Sequence, residues 1–65
     1  MQTKNAKQHV EDVRIHLEDA KNCLSNALAS VEKRENKKQI LDTLDSVDDA
    51  LQTVNITLSN YIDWF

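Results

Sequence analysis

The sequence predicts an all-α fold, an antiparallel hairpin of two long helices with coiled-coil-like heptad packing that dimerises into a four-helix bundle. Three observations lead there. The 65 residues contain no glycine and no proline, where average usage would supply about eight of the two together; the chemistry of tight turns is missing, and hairpin-rich β folds are disfavoured. Apolar residues recur at alternating steps of four and three along both halves of the chain. Between the two stripes lies a wholly polar segment, Glu32-Lys33-Arg34-Glu35-Asn36-Lys37-Lys38. The same arithmetic excludes larger architectures: a barrel enzyme needs about 250 residues, and a phosphate-cradling loop needs glycines.

The first stripe runs Ala6, Val10, Val13, Leu17, Ala20, Leu24, Ala27 and Val31. Assigning Val10, Leu17, Leu24 and Val31 to heptad position a, and the other four to d, gives one narrow apolar seam on a helix. The second stripe runs Ile40, Leu44, Val47, Leu51, Val54, Leu58, Tyr61 and Phe65, with Leu44, Leu51, Leu58 and Phe65 at a. The phase between the stripes separates a rod from a hairpin. From Val31 to Leu44 the helix would turn by roughly 220° beyond whole turns at about 100° per residue, so a continuous helix would carry its two seams on opposed faces. The polar segment therefore holds a reversal, and Asn36 with Gln39 three residues later reads as an N-cap and its capping-box partner. One domain, 1–65, is expected: helix 1 about 4–33, turn about 34–37, helix 2 about 38–64. Folded back at that point, opposed layers sum to about 71 in residue number, and small residues of helix 1 (Ala6, Ala20, Ala27) meet large ones of helix 2, as an interdigitating core requires.

Two helices leave each seam half wet, and a domain needs a second layer. The flanks of the seam indicate where it comes from. At the g positions stand His9, His16, Cys23 and Ser30 on helix 1, facing Thr43, Ala50, Thr57 and Trp64 on helix 2. This flank is uncharged when both histidines are neutral, and its small residues admit a close neighbour. An isologous homodimer through these eight residues is expected. The opposite flank carries Lys7, Arg14, Lys21, Leu28, Leu41, Asp48, Asn55 and Ile62 at e, with Lys21 and Asp48 placed to form an ion pair.

Charge is uneven along the chain. Residues 1–38 hold all eight Lys and Arg, and residues 39–65 hold five Asp and no base, so the two helices are expected to be electrostatic opposites that steer their own pairing. A basic tip of Lys33, Arg34, Lys37 and Lys38 is a candidate site for an acidic partner or RNA. Ile15 and Ile56, at outward f positions, mark a candidate docking surface for a partner protein. The aromatics Tyr61, Trp64 and Phe65 are expected to close the open end of the core. Asp12, His16, Asp19 and Cys23 form a row on one side of helix 1, yet His9 and His16 are two turns apart, about 10.5 Å, too far to chelate one ion together. No catalytic residue, metal or cofactor is expected.

The function expected is therefore non-enzymatic: a small adaptor, regulator or chaperone-like subunit, bacterial or phage, acting by protein–protein contact through a dimeric helical hairpin. In architecture alone the hairpin dimer resembles the Rop type of antiparallel four-helix dimer, which binds RNA hairpins. That resemblance implies an alternative, an RNA-binding regulator using Lys4, Lys7, Arg14 and Lys21 along helix 1. With a sequence pI near 5.1, nucleic acid is not the expected partner, because its binders present a clear basic face. No apolar run approaches the ~20 residues that span a bilayer, no apolar segment follows the N-terminal lysines as in a signal peptide, and the lone Cys23 forms no internal disulfide. The cytoplasm is the expected compartment.

Overall fold

The computed structural model describes residues 5–62, which form two helices, α1 (Ala6–Ser30) and α2 (Arg34–Ser59), packed against each other as a hairpin. The all-α hairpin expected from the two stripes is what the chain forms.

The start of α1 is fixed locally. Asn5 stands in extended conformation, its Oδ1 accepts from the Gln8 N–H at 2.9 Å, and Gln8 Oε1 accepts from the Asn5 N–H at 2.9 Å. This reciprocal box satisfies two donors that the first helical turn leaves without partners. Its spacing, Asn-x-x-Gln, recurs at Asn36-Lys37-Lys38-Gln39, and there the structure departs from the sequence expectation.

The reversal occupies Val31, Glu32 and Lys33 rather than 34–37, and Asn36 lies inside the first turn of α2. Val31 ends α1 with φ −73° and ψ 138°, its N–H still bonded to the Ala27 carbonyl at 2.9 Å, and Lys33 precedes α2 with φ −89° and ψ 134°. Both conformations belong to the extended region open to every residue type. No described residue has positive φ, so the chain reverses with neither a glycine nor any residue in the left-handed region. Val31 stays half-buried as the last residue of its seam.

Moving the turn also redistributes charge. As formed, α1 carries Lys7, Arg14 and Lys21 against Glu11, Asp12, Glu18 and Asp19, whereas Arg34, Lys37 and Lys38 open α2 ahead of Asp42, Asp45, Asp48 and Asp49. The helices are not electrostatic opposites; α2 is itself bipolar. Its N-terminus combines the positive end of the helix dipole with three cations, one acid (Glu35) and no side-chain cap.

At the other end, α2 stops at Ser59 rather than near 64. The Asn60 N–H bonds the Ile56 carbonyl at 3.0 Å, and the Tyr61 N–H bonds the Leu58 carbonyl at 3.3 Å, a tightening of the last turn that uses up carbonyls otherwise left open. Tyr61 is half-buried and Ile62 is exposed. Trp64 and Phe65, expected to close the core, lie outside the described residues, as does Lys4.

The difference between the two Asn-x-x-Gln boxes is measurable. Asn5→Ala should lower stability by about 1 kcal/mol, the usual cost of removing an N-cap, whereas Asn36→Ala, inside a helix where Ala is the better residue, should be neutral or slightly stabilising. Urea titrations of the two variants compare them directly, and a larger loss for Asn36 would return the turn to 34–37.

Candidate interaction surface

The hairpin buries very little by itself. Its Cα atoms extend 52 × 26 × 12 Å, the outline of a single layer of two helices. Of the described residues only Leu51 is buried, at 8% exposure. Val10, Leu17, Ala20, Leu24, Ala27, Val31, Ile40, Leu44, Val47, Val54 and Leu58 are half-buried. A compact monomer of 7.5 kDa would expose about 4200 Å², and this chain exposes 5487 Å².

The two flanks of the seam differ. On the e flank the expected ion pair is present, Lys21 Nζ lying 3.0 Å from Asp48 Oδ1, and Lys7, Arg14, Leu28 and Asp48 are half-buried. In an antiparallel helix pair the e positions of both helices share one side, so this contact leaves the g positions together on the other. There His9, His16, Cys23, Ser30, Thr43 and Thr57 are exposed and Ala50 is half-buried. Val13, a seam residue bordering this flank, is 46% exposed. The structure thus presents the g-position residues on an open side of the hairpin; the eighth of the set, Trp64, is outside the described residues. Exposed apolar side chains are not confined to that side, since Leu41 and Ile62 project from the e flank near its two ends.

The hydroxyls on the open flank are already satisfied. The hydroxyls of Ser30, Thr43 and Thr57 donate to the carbonyls of Asn26, Gln39 and Thr53, four residues back, at 2.9, 2.9 and 3.0 Å. A buried hydroxyl without a partner is costly; these three can be covered without losing one. Sequence reasoning identified the residues as small but not their hydrogen bonds, although a Ser or Thr in mid-helix signals this bond to the preceding turn.

Ile15 and Ile56 face outward as their heptad position requires, at 46% and 61% exposure. Helix geometry places the two f positions on opposite outer sides of the hairpin, so they do not form one patch. Lys33, Arg34, Lys37 and Lys38 are all exposed at the turn and the start of α2. Along α1, Arg14 Nη1 lies 3.2 Å from Glu18 Oε1, so of the basic residues considered for RNA, Arg14 and Lys21 each face a carboxylate.

Among the described residues no group of three His, Cys, Asp or Glu side chains is placed to hold a metal ion, and the row from Asp12 to Cys23 does not converge. A shallow depression open to solvent lies between the helices on the ion-pair side, lined by Glu18, Lys21, Asn22, Asp48, Gln52 and Asn55 among others. No helix among the described residues is long and apolar enough to cross a membrane. Comparison with known proteins finds no family model, no curated protein and no solved structure that matches this chain.

Proposed function

We propose that this chain is a non-enzymatic protein–protein interaction module, an adaptor, regulator or chaperone-like subunit of the cytoplasm, whose working form is a homodimeric four-helix bundle. The observation that carries this reading is that, among the described residues, Leu51 is the one buried side chain, beneath a half-exposed apolar seam. Folding is driven by removing apolar surface from water, and a one-layer hairpin removes too little of it. A second hairpin on the open flank supplies the missing layer. The outer surface of the bundle, with Ile15, Ile56 and the basic tip of Lys33, Arg34, Lys37 and Lys38, then remains for a further protein.

The ion pairs on α1 weigh against an RNA-binding role, because Arg14 and Lys21 would have to leave Glu18 and Asp48 to neutralise phosphates. A gel shift at low and moderate salt checks this, since phosphate binding weakens steeply with salt. The dimer itself is tested by sedimentation equilibrium, where the expected species has twice the 7.5 kDa monomer mass. The thermal midpoint should also rise with protein concentration, as mass action requires when folding and association are coupled. A monomer that stays folded at micromolar concentration overturns the reading.

A further inference from the structure

The outer face of α2 carries a charge stripe that is its own complement. Arg34, Lys38, Leu41, Asp45 and Asp49 recur at steps of four and three, and at about 100° per residue they fall within an arc of about 80°. That arc lies about 140° round the helix from the seam, and as far again from Thr43, Ala50 and Thr57, at the same turn per residue. It faces neither α1 nor the open flank. All five residues are exposed, Leu41 at 41%. The four charged ones take part in no ion pair among the described residues, where Arg14 pairs with Glu18 and Lys21 with Asp48. We propose that this face binds the same face of a second copy, with the two α2 helices antiparallel about a two-fold axis midway between Leu41 and Asp42.

Charge complementarity selects the occupant and its direction. About that axis Arg34 stands level with Asp49 of the second copy, and Lys38 with Asp45; both pairs of residue numbers have the same total, as a single axis requires. The two-fold repeats each pair, so four cation–carboxylate contacts form together. A parallel arrangement would instead set the cations of one copy on those of the other. Leu41 lies beside the axis and meets its own symmetry mate, so the centre of the contact removes apolar surface from water. Asp42, further round the helix, approaches its mate at the edge of the face, with Lys38 one turn before it in each chain. Exposed ion pairs contribute little one by one; their arrangement fixes register and partner. The contact is isologous and uses the side of α2 away from the g-position residues, so it adds to the homodimer proposed above without competing for the same surface.

The experiment is sedimentation of the full chain at about 20 mM and about 0.5 M sodium chloride, which bracket weak and strong screening. The mass should rise at low salt above that of the species that persists at high salt, with the association constant at least about tenfold larger at low salt. The sign is diagnostic, because a net charge of −3 would by itself make copies repel more at low salt. Lys38→Glu and Asp45→Lys should each abolish the low-salt step, and the double variant, which restores opposite charges across the axis, should regain it. No rise at low salt overturns the contact and leaves the face to a different partner. A double variant that keeps its helical circular dichroism without regaining the step overturns it as well. The mass at high salt reports separately on the homodimer, so the two readings fail in distinguishable ways.

Discussion

Leu51→Ala is expected to abolish most of the folded population at micromolar concentration. Truncating a buried leucine costs about 2–5 kcal/mol through lost transfer free energy and the cavity left behind. Leu51 is the one described side chain that the hairpin itself buries, near the middle of α2, so no neighbouring layer is thick enough to collapse onto the gap. Domains of this size have little stability to lose. Helical circular dichroism followed through urea, at several protein concentrations, measures the effect. Ile56→Ala, at an exposed outward position, is the internal reference and should shift stability by less than about 0.5 kcal/mol, as surface substitutions ordinarily do. Equal losses for the two would mean that Leu51 is not the centre of the core.

The second large effect is expected from a charge on the open flank. Cys23→Arg replaces a small thiol by a bulky guanidinium at a g position of the proposed contact, with Asp19 one turn before it as its nearest carboxylate. The side chain does not fit a close contact, and drawing the charge out of water costs several kcal/mol even beside a carboxylate, so the variant should sediment as a monomer at concentrations where the parent is dimeric. Because Leu51 is the one described side chain that the isolated hairpin buries, the variant's helical signal should fall together with its mass. Asn55→Arg puts the same charge on the ion-pair flank and should leave the mass unchanged. If Asn55→Arg dissociates the protein and Cys23→Arg does not, association uses the e flank, and the exposed Leu41 and Ile62 become its apolar contacts.

The two Asn-x-x-Gln boxes show how far local sequence reaches. Asn5 and Gln8 close a capping box, whereas Asn36 and Gln39, with the same spacing and a more conspicuous position in the polar middle, do not. The two tetrapeptides differ only at their second residue, Ala6 against Lys37. A chain reversal must bring two seams into register, and that requirement is met by an extended Val31 and Lys33 three residues earlier, which forfeits one cap worth about 1 kcal/mol. The basic cluster consequently belongs to α2, and the expectation of oppositely charged helices fails with the boundary on which it depended.

What the sequence by itself determined is the periodic part: two amphipathic helices, their seam residues, the sign of the phase that forces a reversal, and the pairing of Lys21 with Asp48. These follow from the 3.6-residue repeat, which is written in residue spacing and needs no knowledge of the rest of the chain. The tertiary structure alone decided where the turn falls and how little one hairpin buries. Those are properties of how two helices share a surface, and a cap or a burial is selected by the free energy of the whole contact rather than by the few residues beside it.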